Sequence, residues 1–111
     1  MPRKNIILSR YSEAAVKLLA SHIKAVRIQK RMTAEELATR LGVSRSLVHR
    51  MESGDPACSI GTVFEAAAIL GIPLFHSDLD DLQKQNRLMD EKLALIPARA
   101  RALKEVIDND F

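Results

Sequence analysis

The chain has few aromatic side chains, one cysteine and no long apolar run, and each shortage excludes a class of protein. Its 111 residues include one tyrosine and three phenylalanines, so its core must be mainly aliphatic, which favours packed helices over an aromatic-rich β-sandwich. The lone Cys58 has no partner for an internal disulfide, so nothing indicates an oxidising compartment. The apolar run at residues 6–8 is too short for a signal peptide, and no stretch approaches membrane-spanning length. We therefore expect a cytoplasmic protein with no membrane partner.

Motifs of enzyme active sites are also lacking. The sequence has no P-loop, no nucleophile elbow and no dinucleotide-type glycine pattern. Its three histidines are widely separated, without a carboxylate or thiol cluster at metal-ligand spacing. Cys58 has no base nearby in the sequence, so we interpret it as a small half-buried residue rather than a nucleophile. We predict no enzymatic activity, no metal and no cofactor.

Positive charge is concentrated towards the amino terminus. Residues 1–31 contain eight Lys and Arg side chains and a single acidic residue, Glu13, whereas residues 59–96 contain six acidic and three basic residues. An excess of positive charge on one segment suits a surface that binds a polyanion. A solvated helix face can have the same composition, so charge alone does not decide between these interpretations.

Capping signals divide residues 12–76 into four helices. Each predicted helix follows a Ser or Thr whose hydroxyl can accept a hydrogen bond from the first helical turn, namely Ser12, Thr33, Ser44 and Ser59. The second start is a capping box, because Glu36 stands three residues after Thr33. The four helices are expected to end near Arg31, Gly42, Glu52 and Gly71.

A further helix is predicted over residues 77–96, beginning with the S-x-x-D pattern of Ser77 and Asp80. Its apolar positions repeat with heptad spacing and include one polar residue at an a position: Leu79, Leu82, Asn86, Met89, Leu93 and Ile96. This stripe fits either a dimerisation seam or an amphipathic helix packed on its own domain, and both alternatives are open. Residues 97–111, which begin at Pro97, are expected to form a mobile tail.

The turn between the second and third helices carries the clearest functional signal. Two helices that cross steeply need a short reversal with a residue that tolerates positive φ, which Gly42 supplies, while the small Ala38 permits close crossing. The outer face of the third helix is then polar and basic, with Arg45, Ser46, His49 and Arg50. Such side chains can contact base edges in a DNA major groove. The alternative is a helical hairpin with a merely solvated face.

This pattern resembles the XRE (phage-repressor-like) helix-turn-helix family over about residues 17–75. The resemblance is carried by Arg27, Met32-Thr33, Glu36-Leu37-Ala38, Leu41-Gly42-Val43-Ser44, Val48, Met51-Glu52-Ser53-Gly54 and Ile69-Leu70-Gly71. It implies an all-α, five-helix repressor-like domain with a C-terminal helical extension, a homodimer, and a palindromic operator in double-stranded DNA. One position departs from the family pattern: the first residue of the second helix is often Gln but is Ala34 here, so a Gln-mediated support of the recognition helix is missing.

The resemblance also implies which residues meet DNA. By position, base contacts fall at Arg45, Ser46, His49 and Arg50. Phosphate contacts are assigned to residues near helix ends, namely Arg27, Lys30, Arg31, Thr33, Ser44, Ser53 and Ser59. We therefore interpret the chain as a sequence-specific transcriptional regulator, acting as a repressor.

A narrower resemblance is to HipB-type antitoxins, which repress their own operon and bind a HipA-type kinase toxin. The basic first helix, the helix-turn-helix and a charged, Pro-containing tail that ends in an aromatic residue carry this resemblance. In that alternative, Phe111 would fill an apolar pocket of the toxin. Single-stranded RNA binding is disfavoured, because the sequence offers few aromatic side chains on which bases could stack.

Overall fold

A computed structural model describes residues 6–97 of the chain. These residues form five α-helices and no strand: α1 (Arg10–Gln29), α2 (Ala34–Leu41), α3 (Arg45–Glu52), α4 (Ile60–Ile69) and α5 (Leu79–Leu95). The predicted all-α fold is confirmed. Contacts divide the chain between Leu74 and Phe75, so that α1 to α4 belong to a first unit and α5 to a second.

Three of the predicted helix caps are confirmed. Thr33, Ser44 and Ser59 each have an extended backbone, and each side chain accepts a hydrogen bond from the backbone N–H three residues later. Thr33 and Glu36 complete the capping box in both directions. Each cap satisfies an N–H group that has no partner within its own helix, which stabilises the helix by about 1 kcal/mol.

The predicted start of α1 at Ser12 is wrong. The helix begins at Arg10, and Ser9 is its cap. The hydroxyl of Ser9 accepts a hydrogen bond from the Ser12 backbone N–H at 3.2 Å. Both serines could cap a helix chemically, but only Ser9 has the extended backbone that a cap requires.

The start of α5 lies one residue later than predicted. Asp78 is its cap and accepts from the Asp81 backbone N–H at 2.8 Å. Ser77 instead donates its hydroxyl to the carbonyl of Phe75 and accepts a hydrogen bond from the Gln85 side-chain amide. Where two polar residues are adjacent, either one can cap a helix, and here the carboxylate does so.

The core of the first unit is aliphatic, and each of its helices contributes to it. The largest fully buried side chains are Ile23, Leu37, Val48 and Leu70. Small buried side chains between them allow close approach of the helices, namely Ala34, Ala38, Ala66 and Ala67. Ala34, where the family often has Gln, is therefore a core residue of this domain. Burial of each large side chain contributes about 1.5–3 kcal/mol to folding.

The helix-turn-helix reversal is closed by two backbone hydrogen bonds around Gly42. The Gly42 N–H donates to the Thr39 carbonyl at 3.2 Å, and the Val43 N–H donates to the Ala38 carbonyl at 3.0 Å. This pairing is a Schellman motif, which needs a left-handed residue after the helix. Gly42 has φ +69°, so the prediction of a positive φ there is confirmed.

In the second unit, no residue of α5 is buried. Along its heptad stripe, Leu79, Met89 and Leu93 are 68%, 53% and 47% exposed. Asn86, at the polar a position, is also exposed. A dimerisation seam on this stripe therefore stays a prediction. Apart from Pro97, the predicted mobile tail lies outside the described residues.

Candidate nucleic-acid interface

The short helix α3 presents two different faces because its ends are fixed by local signals. Ser44 caps its start and Ser53 follows its last residue. Val48 and Met51 point into the core of the first unit and are buried. The opposite face of α3 is exposed to solvent. The side chains on it are fixed in place, because rotation of the helix would expose Val48 and Met51.

The four side chains predicted to contact bases all lie on this exposed face. Together with Ser53, they form one open, shallow surface: Arg45, Ser46, His49 and Arg50. The structure thus brings the predicted residues together on a single surface, and base contact by each of them stays a prediction.

Two of these side chains are hydrogen-bonded to each other. The Nε–H of Arg45 donates to Nε2 of His49 at 3.3 Å, one helical turn away. This bond occupies only Nε of the guanidinium, so its two terminal nitrogens keep the fork geometry that matches O6 and N7 of guanine.

The outer face of α3 carries no carboxylate. The single acidic residue of the helix is Glu52, which is 7% exposed and points inward. The exposed face is therefore positive, with two arginines and no opposing charge from its own helix. A surface of this kind attracts the phosphate-lined groove of a duplex.

The carboxylate of Glu52 is held by Arg27 of α1. Nε and Nη2 of Arg27 donate to the two carboxylate oxygens at 2.6 and 2.9 Å. Nη1 donates to the Met32 carbonyl at 2.8 Å. Hydrogen bonding to Glu52 raises the pKa of Arg27 above its ordinary value, against the opposing effect of burial. The pair links α1, the end of α3 and the segment before α2.

This arrangement corrects the sequence-based role of Arg27. The sequence assigned its guanidinium to DNA phosphates, but the residue is 9% exposed and donates three of its N–H groups within the domain. We therefore reassign Arg27 to the framework that positions α3. Arg27 lies one helical turn after the buried Ile23 and Glu52 one turn after the buried Val48, but no local pattern in the sequence pairs the two charges.

The other predicted phosphate contacts lie at exposed helix ends. Thr33, Ser44 and Ser59 cap α2, α3 and α4, whose N-termini carry the positive end of the helix dipole. Ser53 follows α3, and its hydroxyl donates to the Arg50 carbonyl at 2.8 Å. Each of these residues has its backbone or hydroxyl on the exposed surface, and phosphate contact at each stays a prediction.

The two basic residues after α1 are placed differently from each other. The ammonium of Lys30 lies 3.4 Å from the position that a Cβ on Gly71 would occupy. It is thus near the C-terminal end of α4, whose dipole favours a positive charge. Arg31 is exposed and has a left-handed backbone with φ +56°.

Some sequence-based expectations concern features outside this surface. Phe111, predicted to bind a partner protein, lies outside the described residues. Within residues 6–97 there is no group of three or more His, Cys, Asp or Glu side chains that could hold a metal. None of the helices in that range is long and apolar enough to span a bilayer.

Residues 23–76 match the model of a protein family described as Helix-turn-helix. The matched segment includes the second part of α1, the Gly42 turn, α3 and all of α4. No curated protein and no solved structure matches the chain.

Proposed function

We propose that this chain represses transcription by occupying a palindromic operator as a homodimer. Through residues 23–76 it belongs to the XRE-type helix-turn-helix family and is a DNA-binding transcription regulator. The observation that carries the proposal is the outer face of α3, which is exposed, carries two arginines and bears no carboxylate. A repressor acts by occupying its operator, and this face is the surface with which the chain would do so.

The size of α3 supports a dimer. The helix has eight residues and is therefore about 12 Å long, which limits it to a few base pairs of the major groove. A second copy related by a two-fold axis doubles the sequence that is read. The exposed stripe of α5, with Leu79, Met89 and Leu93 around Asn86, supplies an apolar surface on which two copies could pair.

Selection from a random duplex pool tests this function without knowledge of the operator. The full chain should enrich a two-fold symmetric sequence whose half-sites are centred about 34–36 Å apart, because two recognition helices of one dimer enter successive major grooves. Footprinting of the enriched duplex should show both half-sites protected together. A pool with no enriched sequence would rule out base-specific binding, and a single unrepeated half-site at saturation would rule out the dimer.

A further inference from the structure

Residues 10–22 of α1, about two thirds of the helix, precede the family match. The helix begins at Arg10, whereas the family match begins at residue 23. This preceding part of the helix packs within the first unit. Val16, Leu19 and Ala20 line an apolar cavity together with Met51 of α3 and Ile60 of α4. The additional turns are therefore held in a fixed place beside the DNA-reading helix.

At Lys17, α1 passes close to the C-terminal end of α3. A Cβ on Gly54 would lie 3.6 Å from the Cα of Lys17, which shows how closely the two backbones approach. Gly54 directly follows Ser53, and Ser53 is part of the open surface formed by the predicted base-contacting residues. The chain before α1 lies at the same place, since Ile6 and Leu8 line a cavity with Gly54.

Three basic side chains occur at intervals of seven residues along α1, at Arg10, Lys17 and Lys24. Seven residues are close to two helical turns, so these side chains share one face of the helix. All three are exposed, and none forms an ion pair with another described residue. Glu13 is the single acidic residue of the helix.

We propose that this face of α1 is a second DNA-contacting surface, on which Lys17, assisted by Lys24 and Arg10, binds phosphates beside the base pairs read by α3. The inference rests on the proposed function and extends it along α1 to Arg10 and Lys17, which precede the family match, with Lys24 just inside it. Lysine suits this task because its ammonium is a flexible point charge that neutralises a phosphate without reading a base. The surface therefore adds affinity and salt dependence, and leaves sequence preference to α3.

The test is the salt dependence of DNA binding by the Lys17→Gln/Lys24→Gln variant of the full chain. Affinity is measured for the selected operator and for a random duplex between 50 and 200 mM salt. Each lost phosphate contact reduces the slope of log affinity against log salt by about 0.9. Raising the salt concentration fourfold weakens binding by the wild type. If two contacts per subunit are lost, this weakening should be about 12-fold smaller per subunit in the variant. Affinity for both duplexes should fall by the same factor.

Two matched variants complete the design. Arg40→Gln removes one positive charge from the last turn of α2, at the opposite end from Thr33, and should leave the salt slope unchanged. Lys17→Arg/Lys24→Arg keeps both charges and should retain the wild-type slope. Hydroxyl-radical footprinting should show protected sugars next to each half-site that are lost only in the glutamine variant.

Failure of the inference is distinct from failure of the proposed function. If the wild-type chain binds no DNA, the proposed function is wrong and the inference falls with it. If the wild type binds its operator and the double glutamine variant keeps the wild-type affinity and salt slope, the inference alone is overturned. A loss confined to the operator, with random-duplex affinity unchanged, would also overturn it, because the lysines would then be reading bases.

Discussion

At the scale of single residues, the buried pair Arg27–Glu52 has the largest structural consequence for the DNA surface. It turns the one carboxylate of α3 inward and ties the end of that helix to α1. The same bond therefore removes negative charge from the exposed face and fixes the direction of the helix that presents it. A buried ion pair of this kind specifies geometry more than it adds net stability.

Removal of one partner of this ion pair should lower the free energy of unfolding far more than removal of both partners. Arg27→Met leaves the Glu52 carboxylate buried without its cation, which should cost about 3–5 kcal/mol in the free energy of unfolding. The double variant Arg27→Met/Glu52→Leu should be more stable than Arg27→Met alone, because no buried charge remains. Urea denaturation measures the free energy of unfolding of the wild type and of the two variants. A loss below about 1 kcal/mol in the single variant would show that the pair is not buried as described.

Arg31 is the second informative residue, because its backbone is left-handed. It closes the end of α1 with the same hydrogen-bond pattern that uses Gly42 at the end of α2. A left-handed conformation costs a side-chain-bearing residue about 1–2 kcal/mol. A strained arginine in this position is consistent with its predicted phosphate contact, since strained residues concentrate at functional sites.

Arg31→Gly should therefore stabilise the fold and weaken DNA binding at the same time. After allowance for the greater freedom of glycine in the unfolded chain, we expect a gain of about 1 kcal/mol or less. That gain would raise the melting temperature by up to roughly 4–8 °C. Binding to operator and random duplex should weaken equally. Ala25→Gly, at an exposed position in the interior of α1, should instead destabilise by about 1 kcal/mol. A destabilised Arg31→Gly protein would contradict this account of the backbone.

At the scale of the helices, the sequence predicts an element well where both of its ends carry local signals. The predicted bounds of α3 agree with the observed Arg45–Glu52, because Ser44 caps its start and Gly54 follows its end. The start of α1 was missed because Ser9 and Ser12 are equally suitable caps and the choice depends on the backbone before the helix. The pairing of Arg27 with Glu52 joins residues 25 positions apart, so no local pattern specifies it.

The helix α5 has its own prediction, centred on Asn86. If its exposed stripe is a seam between two copies, Asn86→Leu should raise the melting temperature, because a polar a-position residue lowers stability while it specifies the oligomer. The same change should broaden the distribution of oligomers in analytical ultracentrifugation. Lys84→Leu, on the same helix at the f position opposite the stripe, is the matched control. If Asn86→Leu leaves both mass and melting temperature unchanged, the stripe is not a seam.

At the scale of the whole molecule, the observed and proposed roles fall on different segments of the chain. The first unit contains the helix-turn-helix and its positive surface, whereas the second contains the exposed stripe of α5. Residues 10–22 of α1, with Arg10 and Lys17, precede the family match, and the acidic start of α5 follows it. The composition predicted that positive and negative charges lie in different segments of the chain. Which residues form the positive surface could be seen only from the fold.

The central claim is that the outer face of α3 reads bases, and the most direct test is the ratio of operator to random-duplex affinity in Arg45→Ala and Arg50→Ala. Each variant should lose about 1–3 kcal/mol of operator binding and relax the preference at particular base pairs, while its affinity for random duplex changes much less. Arg40→Ala, with the same loss of charge on α2, should leave the ratio unchanged. Equal losses for operator and random duplex in both α3 variants would contradict base reading by this helix.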